Sequence, residues 1–210
     1  MGRKSISSEC GPQSTIAAMI RRVALASFLV LVLSAANVLA AAKTVTISNA
    51  AFSPNSIQVA MGGSVQWKNA TAKKQTVVSD APFLWGTLTV KPHKSKSLVF
   101  QQAGSFVYHD SLKAGLKGTV QVPMTADAVD ITLGSQVMLK LGTTPVSGPA
   151  WHEVVARVNG GAWISAATTG GTSTGYQPPS AGTWQLETRL HQALSGWNTG
   201  WSPILTITVE

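Results

Sequence analysis

Beyond residue 43 no segment carries a convincing 3.6-residue apolar period, so neither a helical bundle nor alternating strands and helices can be built from this chain. Short runs of Val, Ile, Thr and aromatic residues recur instead, separated by Gly, Pro and Asn. They are Thr44–Ile47, Ser56–Val59, Ser64–Lys68, Thr76–Val78, Leu88–Val90, Ser97–Phe100, Gly104–His109 and Gly118–Val122. Strands this short, this evenly spaced and this well punctuated predict an antiparallel sandwich. The pattern resumes after Pro123–Ala128 with Val129–Leu133, Gln136–Leu141, His152–Val158, Ala162–Ala166, Thr183–Leu190 and Pro203–Glu210. Asn159-Gly160-Gly161 between two of these runs predicts a hairpin turn with positive φ. The Gly/Thr-rich stretch 168–174 reads as a loop, and Pro178-Pro179 stops any helix. The expected class is all-β: two sandwiches in series, over residues 43–122 and 129–210, joined by a linker at 123–128.

The part before residue 43 has a different character. Arg21-Arg22 precedes the apolar run Val23–Leu33, and Val38-Leu39-Ala40 is a small-x-small cleavage signal. The run is too short for a comfortable span of ~20 residues. Residues 1–42 therefore read as an N-terminal extension and secretory signal peptide, with translation starting at Met1 or Met19. The expectation is a periplasmic or secreted protein with no membrane span once the signal is cleaved. Cys10, the single cysteine, leaves with that segment, so the mature protein has no disulfide and no thiolate.

Charge divides unevenly. Residues 43–122 carry nine lysines against Asp80 and Asp110, a formal +7, whereas 123–210 come to −2. A solvated face accounts for such lysines in the simplest reading. The functional reading is an anionic polymer or an acidic envelope protein as partner. Nucleic acid is not expected, because no basic-aromatic binding pattern accompanies the charge.

Two stretches of the first unit carry a family resemblance. AFSPNSIQVAMGGSVQWKN (51–69) and GSFVYHDSLKAGLKGTVQV (104–122) resemble the opening and closing phrases of the cupredoxins, the plastocyanin- and amicyanin-like blue copper proteins. The family's fold is a β-sandwich. Its metal site needs two imidazoles, one thiolate and a weak axial Met. Laid on this chain, those ligand positions are Gln75, Asp110, Lys113 and Leu116. All four ligands are replaced while the surrounding phrases stay, which implies a vestigial type 1 site and no cofactor. One expectation is that the Lys113 ammonium pairs with Asp110, with Gln75 capping the pair by hydrogen bonds; an exposed loop is the other. His109 and His93 are the candidate low-affinity metal ligands, although strand alternation points His109 and Asp110 to opposite faces.

The second unit resembles a fibronectin type III or similar immunoglobulin-like domain in TWQLETRLHQALSGWNTGWSPILTITVE (183–210). Five of the seven tryptophans lie in this unit. Packing explains most of them. Trp197, flanked by Gly196 and Asn198, is the candidate for an exposed glycan contact. His152, Glu153 and His191 form no hydrolytic constellation, and there is no nucleotide-binding Gly loop. The expected function is non-enzymatic: an exported binding or accessory module of the cell envelope. The alternative is a copper electron carrier, or low-affinity copper handling through nitrogen and oxygen ligands.

Overall fold

The computed structural model describes Met1 and residues 42–210. The segment read as a signal peptide, with Cys10 and the expected cleavage site, lies outside the described residues. Among those described there is no helix, and hence none long and apolar enough to cross a membrane.

The first sandwich is built from nine strands: β1 (Lys43–Ile47), β2 (Phe52–Ser53), β3 (Ser56–Gln58), β4 (Gly63–Asn69), β5 (Gln75–Ser79), β6 (Leu88–Val90), β7 (Ser95–Phe100), β8 (Gly104–Asp110) and β9 (Lys113–Val122). One sheet runs β2-β1-β4-β7 and the other β3-β9-β8-β5-β6, with β1 parallel to β4 and β3 parallel to β9. Alternation decides which side chains go inward. In β8 Phe106, Tyr108 and Asp110 are buried, while Ser105, Val107 and His109 lie on the other face. The core gathers around Tyr108, whose ring meets Phe52 edge-on at 4.9 Å and Trp67 at 5.4 Å. Gly118 faces this ring across the β8–β9 ladder. A Cβ there would lie 2.4 Å from the phenol, so only glycine fits beneath it.

The second sandwich contains β10 (Thr125–Ala126), β11 (Asp130–Ile131), β12 (Val137–Lys140), β13 (Ala150–Val158), β14 (Ile164–Thr169), β15 (Ser173–Tyr176), β16 (Gly182–Gln192) and β17 (Leu205–Val209). Its sheets run β10-β12-β15 and β11-β17-β16-β13-β14. Asn159 and Gly160 have φ of 49° and 74°, as the β13–β14 hairpin requires. Two segments differ from their sequence reading. Residues 123–128 contribute β10 to a sheet, and the Gly/Thr stretch is split by a tight turn, with β15 beginning at Ser173. Trp184, Leu139, Leu141, Leu186 and Ile207 fill this core.

The sandwiches share residues. Leu190 of β16 is buried in the first core, Ala103 lies in the second, and Met61 packs against both. Backbone bonds cross the joint: Ala103 N–H to the Leu141 carbonyl (2.7 Å), Thr143 N–H to Gln101 (2.8 Å), and a reciprocal pair between Ser105 and Gly200 (3.0 and 2.8 Å). The Gln102 amide donates to the Thr144 carbonyl at 2.8 Å and accepts from the fully buried imidazole of His152 at 3.0 Å. Gly142 leaves room for that amide, since a Cβ would sit 2.2 Å from Gln102 Oε1.

Candidate functional site

Of the four positions that the resemblance assigns to copper ligands, Asp110, Lys113 and Leu116 lie at or beside the β8–β9 turn, and Gln75 opens β5. Strand β8 continues to Asp110 and β9 begins at Lys113, so a two-residue turn at Ser111-Leu112 replaces the expected open loop. The register jumps from His109↔Lys117 to Asp110↔Lys113, and the extra residues 114–116 bulge from β9. Leu116 turns into the first core, only 7% exposed. An alkyl group stands where the resemblance places the axial thioether, a nearly volume-conserving exchange.

Asp110 is fully buried, and Lys113 is not its partner. Lys113 Nζ donates to the Asn49 carbonyl at 3.1 Å, on the outside of the sandwich. The expected ion pair is therefore corrected. Asp110 Oδ1 accepts from Thr76 Oγ1 (2.5 Å), Thr76 N–H (3.2 Å) and Leu112 N–H (2.9 Å). Thr76 Oγ1 in turn accepts from Ser111 N–H at 2.8 Å, closing the turn over the carboxylate. Neutral donors replace the ammonium because a lysine brought inside would lose its hydration as well as Asp110's.

The Gln75 cap is corrected too. Its Nε2 donates to Thr71 Oγ1 at 3.0 Å, joining a second network centred on Asn69. Gln75 Oε1 and Asp110 Oδ2 are buried with no hydrogen-bond partner among the described residues. The four positions that the resemblance assigns thus offer two hard oxygens, an alkyl group and an outward-turned ammonium. With neither thiolate nor imidazole, this set does not fit a type 1 copper ion.

The remaining candidates lie elsewhere. His109, on the outer face of β8, contacts Asp80 through Nδ1. Strand pairing explains the meeting: Val78 lies opposite His109, which puts Asp80 at the end of β5 within reach. His93 has φ of 55° in the exposed turn between β6 and β7. No group of three or more His, Cys, Asp or Glu side chains among the described residues could hold a metal. Of the tryptophans in the second sandwich, Trp184 is core, Trp151 packs on His191, and Trp163 and Trp201 each lie 4.4 Å beneath an arginine, Arg157 and Arg189 respectively. Trp197 is half exposed, and it lines one groove with His109 and Asp80. Sequence reasoning singled out His109 and Trp197 separately, and missed Asp80 and Trp85 beside them.

A further cluster has no counterpart in the ligand reading. Asn69 is fully buried, and its Nδ2 donates to the carbonyls of Lys73 (2.8 Å), Val90 (3.0 Å) and Lys91 (3.2 Å). It thereby ties the β4–β5 and β6–β7 turns together. Lys68, Lys73, Lys74, Lys91, Lys94 and Lys96 are all exposed on or beside those turns. None of the ion pairs formed among the described residues uses a lysine.

Comparison with known proteins agrees with this construction of the first sandwich. Residues 22–122 match the family model of the cupredoxin-like domain, and the first sandwich is a cupredoxin-like domain. Similar solved structures are amicyanins. An oxidized mutant is 28% identical over 39% of this chain and 82% of its own, with a TM-score of 0.37. A reduced Cu(I) mutant at pH 4 is 27% identical over 41% of this chain and 87% of its own, also with a TM-score of 0.37. The search of curated proteins finds no match.

Proposed function

We propose that this is an exported, non-enzymatic binding or accessory protein of the cell envelope, in which a cupredoxin-like domain works as a scaffold and its type 1 site is vestigial. The observation that carries the reading is the Thr76–Asp110–Ser111 network. It holds the ligand loop shut with hydroxyl and amide donors in place of a metal. The resemblance of residues 183–210 to a fibronectin type III domain is supported by the three- and five-stranded sheets and by Arg189 stacked on Trp201. Such a unit serves as a spacer or docking surface. The lysines gathered by Asn69 supply an attachment face for an anionic envelope polymer.

Metal analysis and thermal unfolding of the purified protein, with and without Cu(II), test the reading. A ligand that binds only the folded state adds ~2.7 kcal/mol at a hundredfold over its dissociation constant, which is easily seen as a raised melting temperature. The expected result is no stoichiometric copper and no shift. Stoichiometric Cu(II) with a clear shift would overturn the proposal in favour of copper handling by a ligand set outside the four positions.

A further inference from the structure

The groove that unites His109 with Trp197 has a chemistry unrelated to the copper question. It is an open depression of about 520 Å³ whose walls include Trp85, Trp197, Asp80, His109, Thr87 and Val78. Both sandwiches contribute: Trp197 comes from the β16–β17 connection, the rest from β5, β8 and the β5–β6 connection. On the far side, Asp80 and Trp197 also line an adjoining depression of about 150 Å³ with Asn198 and Ser105. Trp197 thus stands between two neighbouring hollows.

The polar groups are held in place. Asp80 N–H donates to the Val107 carbonyl at 2.9 Å, and its carboxylate fixes His109 through Nδ1. With Nδ1 engaged by Asp80, Nε2 has no partner among the described residues and is left for a ligand. Both side chains remain about one third exposed, 35% for Asp80 and 32% for His109. The Trp197 loop is tied down as well. Gln192 N–H donates to the Trp197 carbonyl (2.9 Å), Gly196 N–H to Gln192 (2.9 Å), and Trp197 N–H to Ser195 Oγ (3.3 Å). Gly196 supplies the positive φ of 69° that lifts the indole outward.

We infer that this groove binds a neutral oligosaccharide. A pyranose presents an apolar C–H face, which matches an exposed indole, and an edge of hydroxyls, which can donate to the carboxylate and pair with the imidazole beside it. Other ligand classes meet an obstacle. An anion would face Asp80, a wholly apolar ligand would strip water from the Asp80–His109 pair without replacing its hydrogen bonds, and a metal would find too few ligating groups. Two hollows flanking one tryptophan fit consecutive sugar units better than a monosaccharide.

Titration of the full protein with cellopentaose, maltopentaose, xylopentaose and the pentamer of N-acetylglucosamine, followed by tryptophan fluorescence and calorimetry, tests the inference. At least one probe is expected to bind saturably. Trp197→Ala should weaken it about tenfold or more, and Asp80→Asn should weaken it measurably, as expected when an aromatic anchor or a hydrogen-bonding partner is lost. Trp163→Ala, which removes an exposed indole outside the groove, should leave the affinity unchanged. Trp197 is half exposed, and an unchanged melting temperature for the variant separates lost binding from lost folding. No saturable binding by any of the four sugars would overturn the inference, as would binding that survives Trp197→Ala.

Discussion

His152 gives the joint between the sandwiches a calculable sensitivity to acid. Its ring is fully buried between the Gln102 amide and Thr188, and burial pushes its pKa down from 6.5 to about 4. The neutral imidazole is therefore the folded form, whereas the unfolded chain takes up a proton below pH 6.5. Between pH 6.5 and 4 the unfolded state binds more protons than the folded state, so stability rises with pH in that window. The contribution is complete above pH 6.5 and is lost as pH falls through the window. At 1.36 kcal/mol per pH unit, the two titration curves give a loss of about 2 kcal/mol by pH 5 and about 3 kcal/mol by pH 4. For a domain pair of this size that is a fall of roughly 4–8 °C in melting temperature at pH 5. Urea unfolding of the wild type and of His152→Gln, at pH 7, 6, 5 and 4.5, isolates the effect. Glutamine keeps a donor for Gln102 and does not ionise, and the carboxylates common to both proteins cancel in the difference. The variant is less stable at pH 7, but the gap should narrow by about 2 kcal/mol at pH 5. Parallel pH profiles for the two proteins would refute the assignment.

Three further outcomes follow from the geometry. Gly118→Ala places a methyl group against a Tyr108 ring already fixed by Phe52 and Trp67, and should cost about 3 kcal/mol in denaturant unfolding; a loss under about 1 kcal/mol would show that the ring can yield. Both tyrosines of the chain are pushed up to about 12, Tyr108 by burial with the Trp67 indole partly opposing it, and Tyr176 by burial. Alkaline titration followed by phenolate absorbance should therefore show neither ionising near 10 while the fold persists. The stability they lend is full below pH 10 and lost from 10 to 12, and a phenolate step near 10 in the folded protein would contradict this. Replacing Lys73, Lys74, Lys91 and Lys94 by Gln should lower retention on immobilised heparin at 0.15 M salt without changing the melting temperature by more than about 1 °C, since exposed lysines contribute little to stability; unchanged retention would place polyanion binding elsewhere.

Period-two alternation made most strands legible, because each strand has one face in a core. β4, β8, β13 and β16 show it without interruption over their buried positions. The strands that escaped, β2, β10 and β15, have two to four residues, too few for alternation to declare itself. The four ligand positions were assigned by resemblance alone, and their interactions were not legible. Gln75, Thr76 and Val77 are buried in succession, so alternation could not show that the Thr76 hydroxyl turns toward Asp110. Charge complementarity pointed to Lys113, whereas the hydroxyl next to Gln75 reaches the carboxylate at far lower desolvation cost. The groove was hidden for a different reason. Asp80 and His109 stand 29 residues apart, and Trp197 belongs to the other sandwich. Only the β5–β8 pairing and the joint bring them together.

Leu190 belongs by sequence to one sandwich and by burial to the other, and Ala103 returns the exchange. A chain cut at residue 122 would lose the leucine that plugs its first core and would bare the backbone groups of Ala103 and Ser105 that now cross the joint. The excised half would be a wounded protein, and its metal affinity or melting behaviour would describe the wound. Heating the intact protein should accordingly melt both sandwiches in one step. Mutations on either side of the joint then become visible at a distance: damage in one half is felt as loss of the groove that only the pair can form.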